Sequence, residues 1–178
     1  MDTYSSLINI VGKDFASNRQ EELYMYSRDP GAQPPRKVDY VVMPKTVEEV
    51  QQLVMLANKE KIPITPMGGG FTTCALTVPI KGGIVLDMKR MDKIIEVNEK
   101  SKYAIVEAGV SQGMLKSYLE KHYPYLQHST PEAPPTVTVV GNLLIDGHGH
   151  LTPMHGVNSS MINGMEVVLP TGEICKIG

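Results

Sequence analysis

Residues 66–73 read Pro66-Met67-Gly68-Gly69-Gly70-Phe71-Thr72-Thr73, and their types and spacing point to one kind of chemistry. Glycine lacks a Cβ, so three in a row let a loop take φ > 0 and press its backbone against a ligand. Successive N–H groups in such a loop can converge on an anion and make a phosphate cradle. A plain surface turn uses the same composition, so the elements around the loop must decide between the two.

A second constellation is imidazole-rich. His148, His150 and His155 fall within eight residues, with His122 and His128 upstream. A His-x-His pair on a strand would share one face, and a third nitrogen could complete a metal site. Asp146 is the one carboxylate close by in sequence, which favours polar loop residues bonded to backbone over a bound metal. Glu132, within Ser129-Thr130-Pro131-Glu132-Ala133-Pro134-Pro135, reads as a solvated loop carboxylate.

The positioning elements are legible around the glycines. Asp39-Tyr40-Val41-Val42-Met43-Pro44 reads as a strand stopped by proline. Thr46 and Glu49 then form a capping box, and Val50, Leu53, Val54 and Ala57 follow at helical spacing, predicting a helix over 46–60. Ile62–Pro66 reads as a strand that runs into the glycine loop, and Ile84–Asp87 as another. The result is a βαβ unit with its loop at the carboxyl end of a strand, where open α/β sheets bind ligands. Neither a Gly-x-Gly-x-x-Gly turn opening a helix nor a Gly-x-x-x-x-Gly-Lys-Ser/Thr loop is present, so the common nucleotide motifs do not apply.

Beyond Arg90 the spacing predicts strands at Ile94–Val97 and Tyr103–Gly109, a helix over Ser111–His122, and a hairpin of 166–170 and 173–177 around Thr171-Gly172. Short helices at Tyr4–Val11 and Glu21–Tyr26 and an extended connector broken by Pro30-Gly31 and Pro34-Pro35 fill residues 1–38. The chain has 178 residues, 42% of them hydrophobic, enough for one respectable core. A net charge of −2 supplies no basic field for nucleic acid. No apolar run reaches the roughly 18–20 residues that span a bilayer. With Cys74 and Cys175 isolated and no secretory leader at the amino terminus, the expectation is a cytoplasmic protein. The scattered methionines read as core filler.

The run from Asp39 to Phe71 resembles the FAD-binding domain of the vanillyl-alcohol oxidase/para-cresol methylhydroxylase flavoprotein family. The second block of the resemblance is Thr138-Val139-Val140-Gly141-Asn142-Leu143-Leu144-Ile145-Asp146-Gly147-His148-Gly149, then Gly164-Met165-Glu166-Val167-Val168-Leu169-Pro170-Thr171-Gly172-Glu173. Gly141-Asn142, Thr152-Pro153 and Met-Glu-Val-Val-Leu are similar to the phenol-oxidising branch in particular. Two departures stand out: Met67 where members often carry Arg, and Phe71 where they often carry Thr. Residues 60–100 contain no His, so the covalent histidyl tether of some relatives is absent from this loop.

The resemblance implies an α+β fold, a PCMH-type FAD-binding domain of two α/β subdomains: 39–92 with the pyrophosphate loop, and 93–178, apparently incomplete, with the cap domain absent. It implies FAD bound at Pro66, Met67, Gly68, Gly69, Gly70, Phe71, Thr72 and Thr73, at Pro131, Glu132, Gly141, Asn142, Gly147 and Gly149, and at Val168 near the adenine. Glu132, His148 and His150 become candidates beside the flavin or substrate. The activity implied is hydride transfer from a phenolic or aryl-alcohol substrate to the flavin. A 2-hydroxy-acid dehydrogenase, a non-catalytic FAD-holding subunit and a metal-binding module remain alternatives. A partner chain carrying the cap domain and an electron acceptor is expected, because half a cofactor clamp leaves sheet edges uncovered.

Overall fold

A computed structural model describes residues 2–178. Its helices and strands are, in chain order, α1 (Thr3–Val11), β1 (Ala16–Ser17), α2 (Gln20–Met25), β2 (Tyr40–Val42), α3 (Val47–Glu60), β3 (Ile64–Met67) and β4 (Ile84–Asp87). Then follow β5 (Ile94–Asn98), β6 (Tyr103–Val106), α4 (Gln112–His122), α5 (Val139–Leu144), α6 (Thr152–His155), β7 (Met165–Val168) and β8 (Ile174–Ile177). The chain forms two compact units. One runs to Arg90 and includes Gly164–Gly178; the other is Met91–Asn163.

The first unit is built on a four-stranded sheet in the order β1-β2-β4-β3. β2, β4 and β3 are parallel, and β1 pairs antiparallel with β2. All four residues of β4 are buried, so Ile-Val-Leu-Asp reads as a continuous run rather than an alternation, as a parallel strand covered on both faces should. Ile84 and Leu86 meet Leu7, Val11, Leu53 and Ala57 on one face. Val85 meets Leu23, Val38, Val41 and Met67 on the other.

The expected capping box is present, with one variation. The Thr46 hydroxyl accepts from Glu49 N–H at 3.3 Å, while the Glu49 carboxylate reaches back to Lys45 N–H at 2.6 Å, one residue beyond the cap itself. α3 ends at Lys61, which takes the left-handed conformation (φ 55°) and donates its N–H to Ala57.

The hairpin of β7 and β8 groups with the first unit, which differs from the expected assignment of 93–178 to one subdomain. Polar side chains of α3 explain this: Gln51 Nε2 donates to Gly172 O at 2.6 Å and Asn58 Nδ2 to Pro170 O at 2.6 Å. Gly172 is buried with φ 87°, and a Cβ there would come within 2.7 Å of Met55 Cγ. That turn can seat on the helix only as glycine. Residues 1–38, expected as a separate segment, also belong to this unit through α1, β1 and α2.

The second unit packs the antiparallel β5–β6 hairpin against α4. Its core is Val110, Leu115 and Leu119, joined by Ile94, Val97, Val106 and Val139. Ser111 caps α4 by accepting from Met114 N–H at 3.1 Å. The glycine-bearing stretch after Thr138, to which no element was assigned from sequence, begins with the short helix α5. Thr138, 2% exposed, caps it by accepting from Gly141 N–H, a signal obscured by the two valines and the glycine that follow.

Leu53 is fully buried between α1 and the sheet. Leu53→Ala is expected to cost about 2–5 kcal/mol of unfolding free energy, read as an earlier midpoint in urea at unchanged slope. A midpoint shift near zero would place the core elsewhere.

Candidate functional site

The glycine loop leaves the carboxyl end of β3, at the register where Met67 pairs with Asp87. Gly70 alone of the three glycines has positive φ, at 73°. Apart from their chain neighbours, no described atom stands within 4 Å of a Cβ built at Gly68 or Gly69. Their lack of a side chain is therefore demanded neither by conformation nor by the protein's own packing. No acceptor among the described residues meets the N–H groups of Gly68, Gly69, Gly70, Phe71, Thr72 or Thr73. A contiguous run of six free main-chain donors, open where a Cβ would intrude, fits the pyrophosphate of a dinucleotide.

The side chains of the loop differ in burial and partners. Met67 is 9% exposed and packs with Leu23, Val38, Val41 and Val85; its thioether lies under Gly70, 3.2 Å from a Cβ built there, which leaves only its backbone open to a ligand. Pro66 and Phe71 are exposed. Thr72 Oγ1 accepts from Cys74 N–H at 3.1 Å and so folds the loop onto itself.

Beneath the loop lies a buried charge that sequence patterning missed. Asp87 is fully buried, accepts from Tyr26 Oη–H at 2.9 Å and from Lys89 N–H at 3.1 Å, and pairs with Lys89 Nζ at 3.0 Å. A buried carboxylate needs such partners. Burial, with the Asp87 charge second, raises the Tyr26 hydroxyl well above the ordinary tyrosine range, keeping it a donor. Asp87 ended an apolar run and Tyr26 stood sixty-one positions away, so nothing local paired them.

In the second unit, the expected site residues Gly141, Asn142, Gly147 and Gly149 gather around Ser129, Thr130 and Asn158. Asn142 is buried and its Oδ1 accepts from Asn158 Nδ2. The close neighbours of the three glycines are the protein's own. A Cβ at Gly147 would strike the Asn142 side chain at 2.1 Å, one at Gly149 Ser129 Oγ at 2.2 Å, and one at Gly141 Thr138 Oγ1 at 2.7 Å. Two buried polar atoms beside this segment, Ser129 Oγ and Asn158 Oδ1, lack a partner among the described residues, which suits a polar group arriving from outside. Pro131 is half-buried and Glu132 exposed, and Val168 lies in β7 opposite Ile174.

The histidines do not assemble. Among the described residues, no three His, Cys, Asp or Glu side chains are placed to hold a metal. His148 and His150 sit on an irregular segment rather than a strand, both exposed. His150 Nδ1 lies 2.9 Å from Thr130 Oγ1 and 3.2 Å from Thr130 N. His128 is the imidazole the sequence undervalued. It is half-buried, its Nε2 lies 2.8 Å from Gln112 Oε1, and it lines a cleft of about 400 Å³ with Lys116, Glu120 and His150. Burial lowers its pKa, and the nearby His150 and Lys116 lower it further.

A parallel sheet with an open glycine loop at the carboxyl end of a strand is the arrangement in which open α/β folds bind ligands. Residues 38–178 match the FAD binding domain family, and the chain belongs to it; its cofactor is FAD. It is 38% identical over 137 residues to the 4-cresol dehydrogenase [hydroxylating] flavoprotein subunit of Pseudomonas putida, covering 75% of this chain and 26% of that protein. It is 29% identical over 180 residues to glycolate oxidase subunit GlcD of Bacillus subtilis, covering 99% and 37%. The crystal structure of p-cresol methylhydroxylase with substrate bound superposes with a TM-score of 0.81 at 27% identity, over 97% of this chain and 34% of that one. The fold is thus PCMH-type, and the chain spans about a third of the length of these relatives. No helix of the described residues is long and apolar enough to cross a membrane.

The lowered His128 pKa has a defined sign. The folded protein favours neutral His128, so the stability it contributes is present above the unfolded value near 6.5 and is lost as pH falls through the folded value. The melting temperature should drop between pH of about 7.5 and about 5.5, and His128→Gln should flatten that drop. Equal slopes in the two proteins would assign the effect to other groups.

Proposed function

We propose that this chain is the FAD-holding portion of a flavin-dependent oxidoreductase, with the run of six acceptor-free N–H groups at Gly68–Thr73 as the pyrophosphate site. That run is the observation that carries the proposal. Bound FAD supplies the acceptor for a hydride taken from a substrate C–H. The chain's own contribution is placement: backbone donors neutralise the pyrophosphate charge, Gly68 and Gly69 leave it room, and Asp87 with Tyr26 fixes the base of the loop. In the other unit, Asn142, Gly147, Gly149, Ser129 and Asn158 form a separate polar cluster offered for FAD contact, with Pro131, Glu132, His148 and His150 close to it in sequence, and Val168 of β7 is assigned to the adenine end.

The substrate class proposed is phenolic or aryl-alcohol, supported by the 38% identity to a cresol dehydrogenase subunit. A 2-hydroxy-acid substrate is the second reading, favoured by the match to a glycolate oxidase subunit along 99% of this chain. Further proposals are a partner chain that carries the substrate domain and an electron acceptor, and a cytoplasmic setting. The relative from Pseudomonas putida is itself named a flavoprotein subunit.

An absorbance spectrum of the purified chain tests the cofactor assignment, with bands at about 370 and 450 nm expected from oxidised flavin and FAD released by acid. Gly69→Val should abolish flavin retention with little change in the far-UV circular dichroism, because the side chain enters space that the protein leaves open. Undiminished flavin content in that variant would remove the loop from the site.

A further inference from the structure

The free donors of the glycine loop need something to hold them in place, and the chain that follows them is fixed from an unexpected direction. Asp29, 8% exposed, accepts from Ala75 N–H through Oδ2 at 2.9 Å and from Gly31 N–H through Oδ1 at 2.9 Å. Ala75 sits at φ 59°, a left-handed conformation that an L-residue with a Cβ adopts only at a cost. Gly31 lets the 29–31 turn approach so closely that a Cβ there would fall 2.5 Å from Thr73 O. One carboxylate and one missing side chain therefore grip the loop at Thr73 and Ala75, opposite its other anchor at the Met67–Asp87 register. Between the two anchors lie the six N–H groups without acceptors.

We propose that Asp29 and Gly31 are positioning residues for cofactor binding: they clamp the far end of the glycine loop so that its N–H groups stay converged on an anion. The proposal rests on the loop being the pyrophosphate site. The amino-terminal segment is then a working part of the cofactor site rather than packing on its outside. The carboxylate matters because both its oxygens are used, each on a main-chain donor, and because hydrogen bonds to a charged acceptor are about twice as strong as neutral ones. An amide at position 29 would turn one acceptor into a donor facing an N–H.

The test compares the full chain with Asp29→Asn, Gly31→Ala, Gly69→Val and the double variant Asp29→Asn/Ala75→Gly. Two quantities are read at a temperature where circular dichroism shows all to be folded: the Kd for FAD by flavin fluorescence, and the rate of chymotryptic cleavage of the apo chain after Phe71. Asp29→Asn and Gly31→Ala should each weaken FAD binding about tenfold or more and speed cleavage at Phe71. Ala75→Gly, which removes the cost of the left-handed conformation, should recover part of both losses in the double variant. A residue that merely stabilises the fold would move neither readout while the protein is folded. Unchanged Kd and unchanged cleavage in Asp29→Asn and Gly31→Ala would overturn the clamp. Faster cleavage with unchanged Kd would overturn its role in cofactor binding. Gly69→Val that binds FAD normally would instead refute the pyrophosphate assignment, while the cleavage rates still decide whether Asp29 holds the loop.

Discussion

A main-chain donor that is to serve a ligand must be kept from serving the protein. That constraint organises the first unit. Six consecutive N–H groups from Gly68 to Thr73 meet no acceptor among the described residues, so the loop cannot stabilise itself as a helix or strand does, and order has to be imposed at its ends. The parallel ladder supplies one end, where β3 and β4 pair through Met67 and Asp87. A fully buried β4, packed on both faces by separate apolar clusters, makes that end rigid. The costly burial of the Asp87 carboxylate is tolerable because Tyr26 and Lys89 reach it.

If the loop binds through its backbone, as proposed, its departures from the pattern it resembles are readily accommodated. Arg in place of Met67 would bring a charge to the strand end; Met67 instead turns into the core and packs below Gly70. Phe71, in place of Thr, leaves a bare N–H and an exposed ring. Neither change touches the donors, because an N–H is common to every residue but proline. A site built this way constrains chain path more than side-chain identity, in keeping with a TM-score of 0.81 at 27% identity to p-cresol methylhydroxylase.

Elements governed by short-range rules were legible in the sequence. The helix over 47–60 has its cap, its apolar spacing and its stop within sixteen residues, and β4 is a run of branched apolar residues preceded by glycine. Contacts that join distant residues were not. Tyr26 to Asp87 and Asp29 to Ala75 each join residues far apart in sequence that only the assembled fold brings together. β1 has two residues, too few to show a period, and exists because β2 offers an unpaired edge. The hairpin of β7 and β8 was visible as a hairpin, but its seat on α3 depends on two amide side chains that look like ordinary surface polarity until Gly172 and Pro170 arrive. α5 was hidden because valine and glycine are poor helix formers, and its cap at Thr138 outweighs them.

The glycines show why composition alone could not delimit the site. Gly147 and Gly149 are required by Asn142 and Ser129, side chains of the same unit standing where a Cβ would go. Gly31 and Gly83 are likewise spoken for, by Thr73 O and Pro63 O. Gly68 and Gly69 have neither a forbidden φ nor a crowding neighbour. A side chain added at Gly147 would disturb the fold locally whether or not a flavin approached it, so lost cofactor there would identify no contact. A Cβ added at Gly69 meets no described atom within 4 Å apart from its chain neighbours, so lost cofactor there is harder to ascribe to disturbed packing. The glycines that the fold does not need are the ones at which a substitution can test for a ligand.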